Sequence, residues 1–147
     1  MRCARRSLWP CVCFALLALA ISSTLAILTA SAADETLRNV GFVWTPREIL
    51  FFSAPSGEWT AVRLDAGERI LQRGADGNVA AVVTSERAIG FSASLNVTHE
   101  LGVTEDEGLE AFKVEGNVAT FLTRRRVFAF SAFTGKWSAI DRFQLGK

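Results

Sequence analysis

An all-β fold built of tandem units is what this sequence predicts, and three observations predict it. Like residues return at a fixed interval of 39: Asn39-Val40, Asn78-Val79 and Asn117-Val118; Thr45, Thr84 and Thr123; Phe52-Ser53-Ala54, Phe91-Ser92-Ala93 and Phe130-Ser131-Ala132. A gapless period of this size marks one supersecondary unit repeated along the chain. Within each unit, β-branched and aromatic residues dominate short runs such as Ile49 to Ala54, which hold too few helix formers to make a helix. Glycine or asparagine stands between the runs, where a turn needs positive φ.

Taken in order, the chain opens with Arg2, Arg5 and Arg6 ahead of an uncharged run from Ser7 to Ala33, most apolar from Cys11 to Leu28. Ala30-Ser31-Ala32 then supplies a small-x-small site, so residues 1–32 read as an export signal cleaved near Ala32/Ala33, with residues 33–147 as one repeat domain. The alternative is a signal anchor across residues 8–28, since a bilayer takes about 20 apolar residues. Arg5-Arg6-Ser7-Leu8-Trp9 also loosely resembles a twin-arginine export motif. Export places the domain in the periplasm or outside the cell. All three cysteines, Cys3, Cys11 and Cys13, lie in the leader, so the mature domain is held by packing and not by disulfides. Three of the 16 basic residues leave with it, and the remaining 13 stand against 15 acidic ones, a net charge of −2. That balance argues against nucleic acid, whose phosphates call for a basic face.

The units run 39–77, 78–116 and 117–147. Each begins with a strand: in the first unit Val40, Phe42 and Trp44 point one way, Gly41 and Val43 the other. Both sides are apolar in all three copies, so this strand is expected to be covered on two faces. Thr45-Pro46-Arg47-Glu48, Thr84-Ser85-Glu86-Arg87 and Thr123-Arg124-Arg125-Arg126 read as hairpin tips. A second strand follows, at Ile49, Ala88 and Val127. Then come a turn around Gly57, Asn96 or Gly135 and a third strand carrying Trp59, Thr98 or Trp137. Gly67 to Arg73 and Leu109 to Val114 complete four-stranded antiparallel units, and the third, ending at Lys147, is expected to lack its fourth strand. Phe52, Phe91 and Phe130 are expected in like surroundings, with the aromatic faces hidden at the seams between units.

Gly116-Asn117-Val118 through Trp137, centred on Val127-Phe128-Ala129-Phe130-Ser131-Ala132-Phe133-Thr134-Gly135-Lys136-Trp137, resembles a blade of the pyrroloquinoline-quinone-type β-propeller repeat; Ile49 to Trp59 is similar to it as well. The resemblance implies propeller-like blades with the tryptophan packed between them. The family usually carries aspartate where this chain has Ser53, Ser92 and Ser131. No cofactor residue carries over, and no cofactor is expected. Propellers close with about four to eight blades, so three units imply association, for instance two chains forming a six-bladed ring and hence a homo-oligomer. A count of three also suits a β-trefoil or another small closed barrel.

Few residues offer chemistry. His99 is the only histidine, and no Gly-x-Ser-x-Gly elbow accompanies it. Glu105-Asp106-Glu107 with Glu110 supplies oxygens for Ca²⁺ but lacks the spaced, glycine-bent loop, and reads as a solvated connector. Trp59 and Trp137 could stack on sugars or pack between blades. Arg124, Arg125 and Arg126 could meet an anionic partner or simply solvate a turn. Asn96-Val97-Thr98 fits a glycosylation sequon. With no constellation of nucleophile, base and metal ligands, the expected role is an exported, non-catalytic binding or assembly module for a protein or glycan. The alternatives are an enzyme or enzyme subunit using carboxylates and a membrane-tethered structural protein of the envelope. Contact with a membrane is expected only if the leader is retained.

Overall fold

The strand and turn signals converge on meanders. A computed structural model describes residues 38–144 of the chain, so the leader and its cysteines lie outside the described residues. The first sheet holds β1 (Val40–Trp44), β2 (Glu48–Ser53) and β3 (Glu58–Arg63). The second holds β4 (Ile70–Asp76), β5 (Val79–Thr84), β6 (Arg87–Ser92) and β7 (Val97–Gly102), and the third β8 (Leu109–Glu115), β9 (Val118–Thr123), β10 (Arg126–Ser131) and β11 (Lys136–Asp141). Every pairing is antiparallel between strands consecutive in sequence. The architecture is therefore all-β, three antiparallel sheets, with no closed barrel among the described residues.

The 39-residue period persists in backbone detail. The hairpin-tip hydroxyls of Thr45, Thr84 and Thr123 each accept from amides two or three residues on and donate to the carbonyl three residues on. That local bonding explains why threonine returns at this corner. Gly57, Asn96 and Gly135 take φ of 71°, 53° and 63° at the next turn, the left-handed conformation that glycine and asparagine tolerate best. The irregularities in β4 and β8 fall between Ile70/Gln72 and Leu109/Ala111, again one period apart.

The sheets do not coincide with units counted from Asn39. β4 and β8, expected as last strands, pair with β5 and β9 and so open the following sheet. A tight hairpin at Gly77-Asn78 turns β4 directly onto β5, with Asp76 opposite Val79, whereas residues 64–69 carry the chain away from β3. Among the described residues, the third sheet accordingly has all four strands and the first has three, the reverse of the expectation. Residues 31–37, one period before β4, lie outside the described part.

The sheets stack face to face in chain order, and all seams use the same two faces. Val40, Ile49, Phe51 and Val62 on the first sheet meet Ala80, Val82, Ile89 and Phe91 on the second. Val79, Ala81, Val83 and Ala88, on the opposite face of the second sheet, meet Ala119, Phe121, Phe128, Phe130 and Trp137 on the third. β5 is thus buried at every residue, as two-sided apolarity predicts. For β1 and β9 the expectation fails: Val43 and Val118 are exposed, because among the described residues their sheets are the ends of the stack and have a neighbour on one face alone.

Candidate functional site

Stacking one face on the other leaves one of each uncovered. On the first sheet the register places Gly41 beside Phe52 and Phe52 beside Trp59, and Val43 beside Leu50 and Leu50 beside Ala61. Val43 is 51% and Trp59 58% exposed; the Trp59 ring leans on Phe52, centroids 5.0 Å apart. On the third sheet the open face carries an apolar row, Ala111, Leu122, Val127 and Ile140, beside a mixed row of Lys113, Thr120, Ala129 and Ser138. A hollow of about 440 Å³ lies among Ala111, Lys113, Thr120, Leu122 and Val127. Exposed contiguous apolar surface of this kind marks interaction sites, and stacked-repeat proteins ordinarily close their ends with polar capping faces.

Trp59 and Trp137, equivalent in the repeat, have opposite fates. Trp137 is buried at 8% exposure between the second and third sheets. It contacts Phe121 edge-on and Phe130 at a tilt, and its indole N–H donates to the His99 carbonyl at 3.1 Å. Among the described residues, no sheet lies against Trp59. The same holds for the phenylalanines: Phe91 and Phe130 are fully buried at seams, whereas Phe52 is half-buried on the open face. The expectation of like surroundings thus fails for Phe52, again because the stack ends there.

Arg124 and Arg125 stand exposed at their hairpin tip, but Arg126 turns inward and pairs with Glu107. One period earlier Arg87 pairs with Glu68 at 2.9 Å, and the buried hydroxyls of Thr84 and Thr123 join the same carboxylates. Hydrogen bonds from Arg126 hold the Glu107 carboxyl below its ordinary range despite burial. For Glu68, burial is the largest influence and acts upward, but bonds from Arg87, Thr84 and the Asp65 amide together outweigh it and leave the carboxyl lowered. Sequence reasoning missed both pairs, although Glu68/Glu107 and Arg87/Arg126 recur at the repeat interval. Glu107 is therefore no solvated connector residue: it is buried, with its carboxylate against the half-buried Arg126 and the buried Thr123 hydroxyl.

Among the described residues, the acidic stretch does not gather into one ligand set. Glu107 faces Arg126, Glu110 faces Arg142 at 2.7 Å, and Asp106 is exposed. Carboxylates of Asp65, Glu68 and Glu86 do come within 4.8 Å of one another, with Arg87 already serving as the cation for Glu68. His99 lies at the second seam, its Nδ1 3.4 Å from the Trp137 amide. Asn96 of the sequon donates to Glu58 and faces Thr60 across the first seam. Among the described residues, no helix is long and apolar enough to cross a membrane; the segment 8–28 lies outside them. No protein-family model matches the chain, and no curated protein matches it.

Proposed function

We propose that this chain is an exported, non-catalytic β-repeat module that works by assembly, its sheets acting as propeller-like blades and its two end faces as the binding surfaces. The observation that carries the reading is the pair of sheet faces left open among the described residues at the ends of a regular stack, the first apolar and the third crossed by an apolar row. The exposed Trp59 ring alone would suit a sugar face, but Val43, Leu50, Phe52 and Trp59 extend the apolar character across a whole sheet, which suits a protein surface better. Export rests on the leader, and the intact mass of the protein recovered from its host tests it: loss of residues 1–32 supports a cleaved signal, retention supports the anchor.

Hydroxyl-radical footprinting tests the binding surfaces. Phe52, Trp59, Leu122 and Val127 are expected to be protected in the protein's native setting and to become reactive in dilute purified protein. Equal reactivity in both settings would remove the assembly reading.

A further inference from the structure

We infer that the partner of the first sheet's open face is the third sheet of a second copy of this chain, docked head to tail in the register of the internal seams. The inference rests on the assembly reading and names its partner. It follows from the periodicity of the seams themselves. Ser53 Oγ donates to the Ala93 carbonyl at 2.7 Å and Ser92 Oγ to the Ala132 carbonyl at 2.6 Å; the next step in this series is Ser131 donating to Ala54 of a second copy. Asn39 Nδ2 donates to Asn78 Oδ1 at 2.8 Å and Asn78 Nδ2 to Asn117 Oδ1 at 2.6 Å. This ladder is directional, with an acceptor left at its Asn39 end and a donor at its Asn117 end, so two chains continue it head to tail and not head to head.

Side-chain volumes fit the same register. At the second seam Phe130 lies over Gly90, and at the first Phe91 stacks on Phe51 with centroids 5.1 Å apart. The next pair in the series is Phe52 over Ala129, a small residue on an open face. Trp59 then takes the seat that Trp137 has against His99, its indole N–H meeting the Ser138 carbonyl. Val43 and Leu50 occupy the positions of Phe121 and Phe128 and enter the hollow beside Leu122 and Val127. Such an interface is heterologous: it closes into a ring or extends into a polymer.

The test is light scattering over a concentration series on the chain as its host processes it. Two or more chains per particle are expected, as one closed species of six stacked sheets or as a polymer that grows with concentration. Trp59→Lys closes off the first face and Ala129→Arg the third; each variant alone is expected to scatter as a single chain. An equimolar mixture of the two is expected to restore a two-chain particle, because each supplies the face the other lacks. Circular dichroism matching the parent confirms folding, and Val43→Lys replaces Trp59→Lys if that variant misfolds. A parent of single-chain mass throughout, a variant that still pairs alone, or a mixture that stays single overturns the inference. Native-setting protection of the faces combined with a single-chain parent would leave the assembly reading standing with a different partner.

Discussion

Gly90 carries no side chain because the ring of Phe130 occupies the place where one would be: a Cβ there would lie 2.7 Å from the ring's Cγ and Cε2 atoms. The glycine lies in the middle of β6, where no turn demands it, so its reason is the neighbouring sheet. Gly90→Ala is expected to destabilise the fold by about 1–3 kcal/mol, the usual cost of overpacking a tight core. Gly102→Ala, at a site with nothing within 4 Å, is expected to stay within about 0.5 kcal/mol of the parent. Denaturant midpoints compare the two, and equal midpoints would mean that the second seam is looser than the structure has it.

The two equivalent tryptophans should separate in the same assay. Trp137→Ala removes a buried ring that touches two phenylalanines and a carbonyl, and a loss of about 3–5 kcal/mol is expected. Trp59→Ala, measured where the chain is dilute and single, is expected to cost under about 1 kcal/mol, as most surface substitutions do. A large loss at Trp59 in dilute solution would show that something covers it within one chain.

Much of this was legible in the residues. The β-branched and aromatic runs gave the all-β class, and the interval of 39 marked the hairpin tips at Thr45, Thr84 and Thr123 and the turns at Gly57, Asn96 and Gly135, because each depends on bonding within a few residues. Sheet membership of β4 and β8 was not legible: a strand between two turns can pair forward or back, and the short hairpin at Gly77 or Gly116 decides it. The contrast between Trp59 and Trp137 was hidden for another reason. Repetition makes the copies alike in sequence, while their burial depends on their place in the stack, which no single unit encodes.

The asparagine ladder makes a graded prediction. Asn78 both accepts from Asn39 and donates to Asn117, whereas Asn117 joins the ladder on one side within the chain. At about 0.5–1.5 kcal/mol per hydrogen bond, Asn78→Ala is expected to cost about twice as much as Asn117→Ala in dilute solution. Equal losses would place the contribution of these residues in their backbone turns and not in the ladder.

The buried ion pairs set the acid limb of stability. The folded protein holds both Glu68 and Glu107 below the ordinary value of 4.5, so the unfolded chain binds protons at a higher pH than the folded one does. Their contribution is therefore fully present above about pH 4.5 and is lost as pH falls through the depressed folded values. The raised arginines lie far above this window and do not shape it. Arg126→Ala leaves the buried Glu107 carboxylate without its cation, and a loss of roughly 2 kcal/mol at pH 7 is expected, in the range for hydrogen bonds to charged groups. The loss should shrink as the pH drops below 4.5, because the parent then surrenders the same interaction while the variant has none to lose. Chemical denaturation of both proteins at pH 7, 4.5 and 3 measures the convergence. A gap that stays constant across that range would show that Arg126 stabilises the fold by its guanidinium over the Phe128 ring, 4.7 Å from the centroid, and not by its pairing with Glu107.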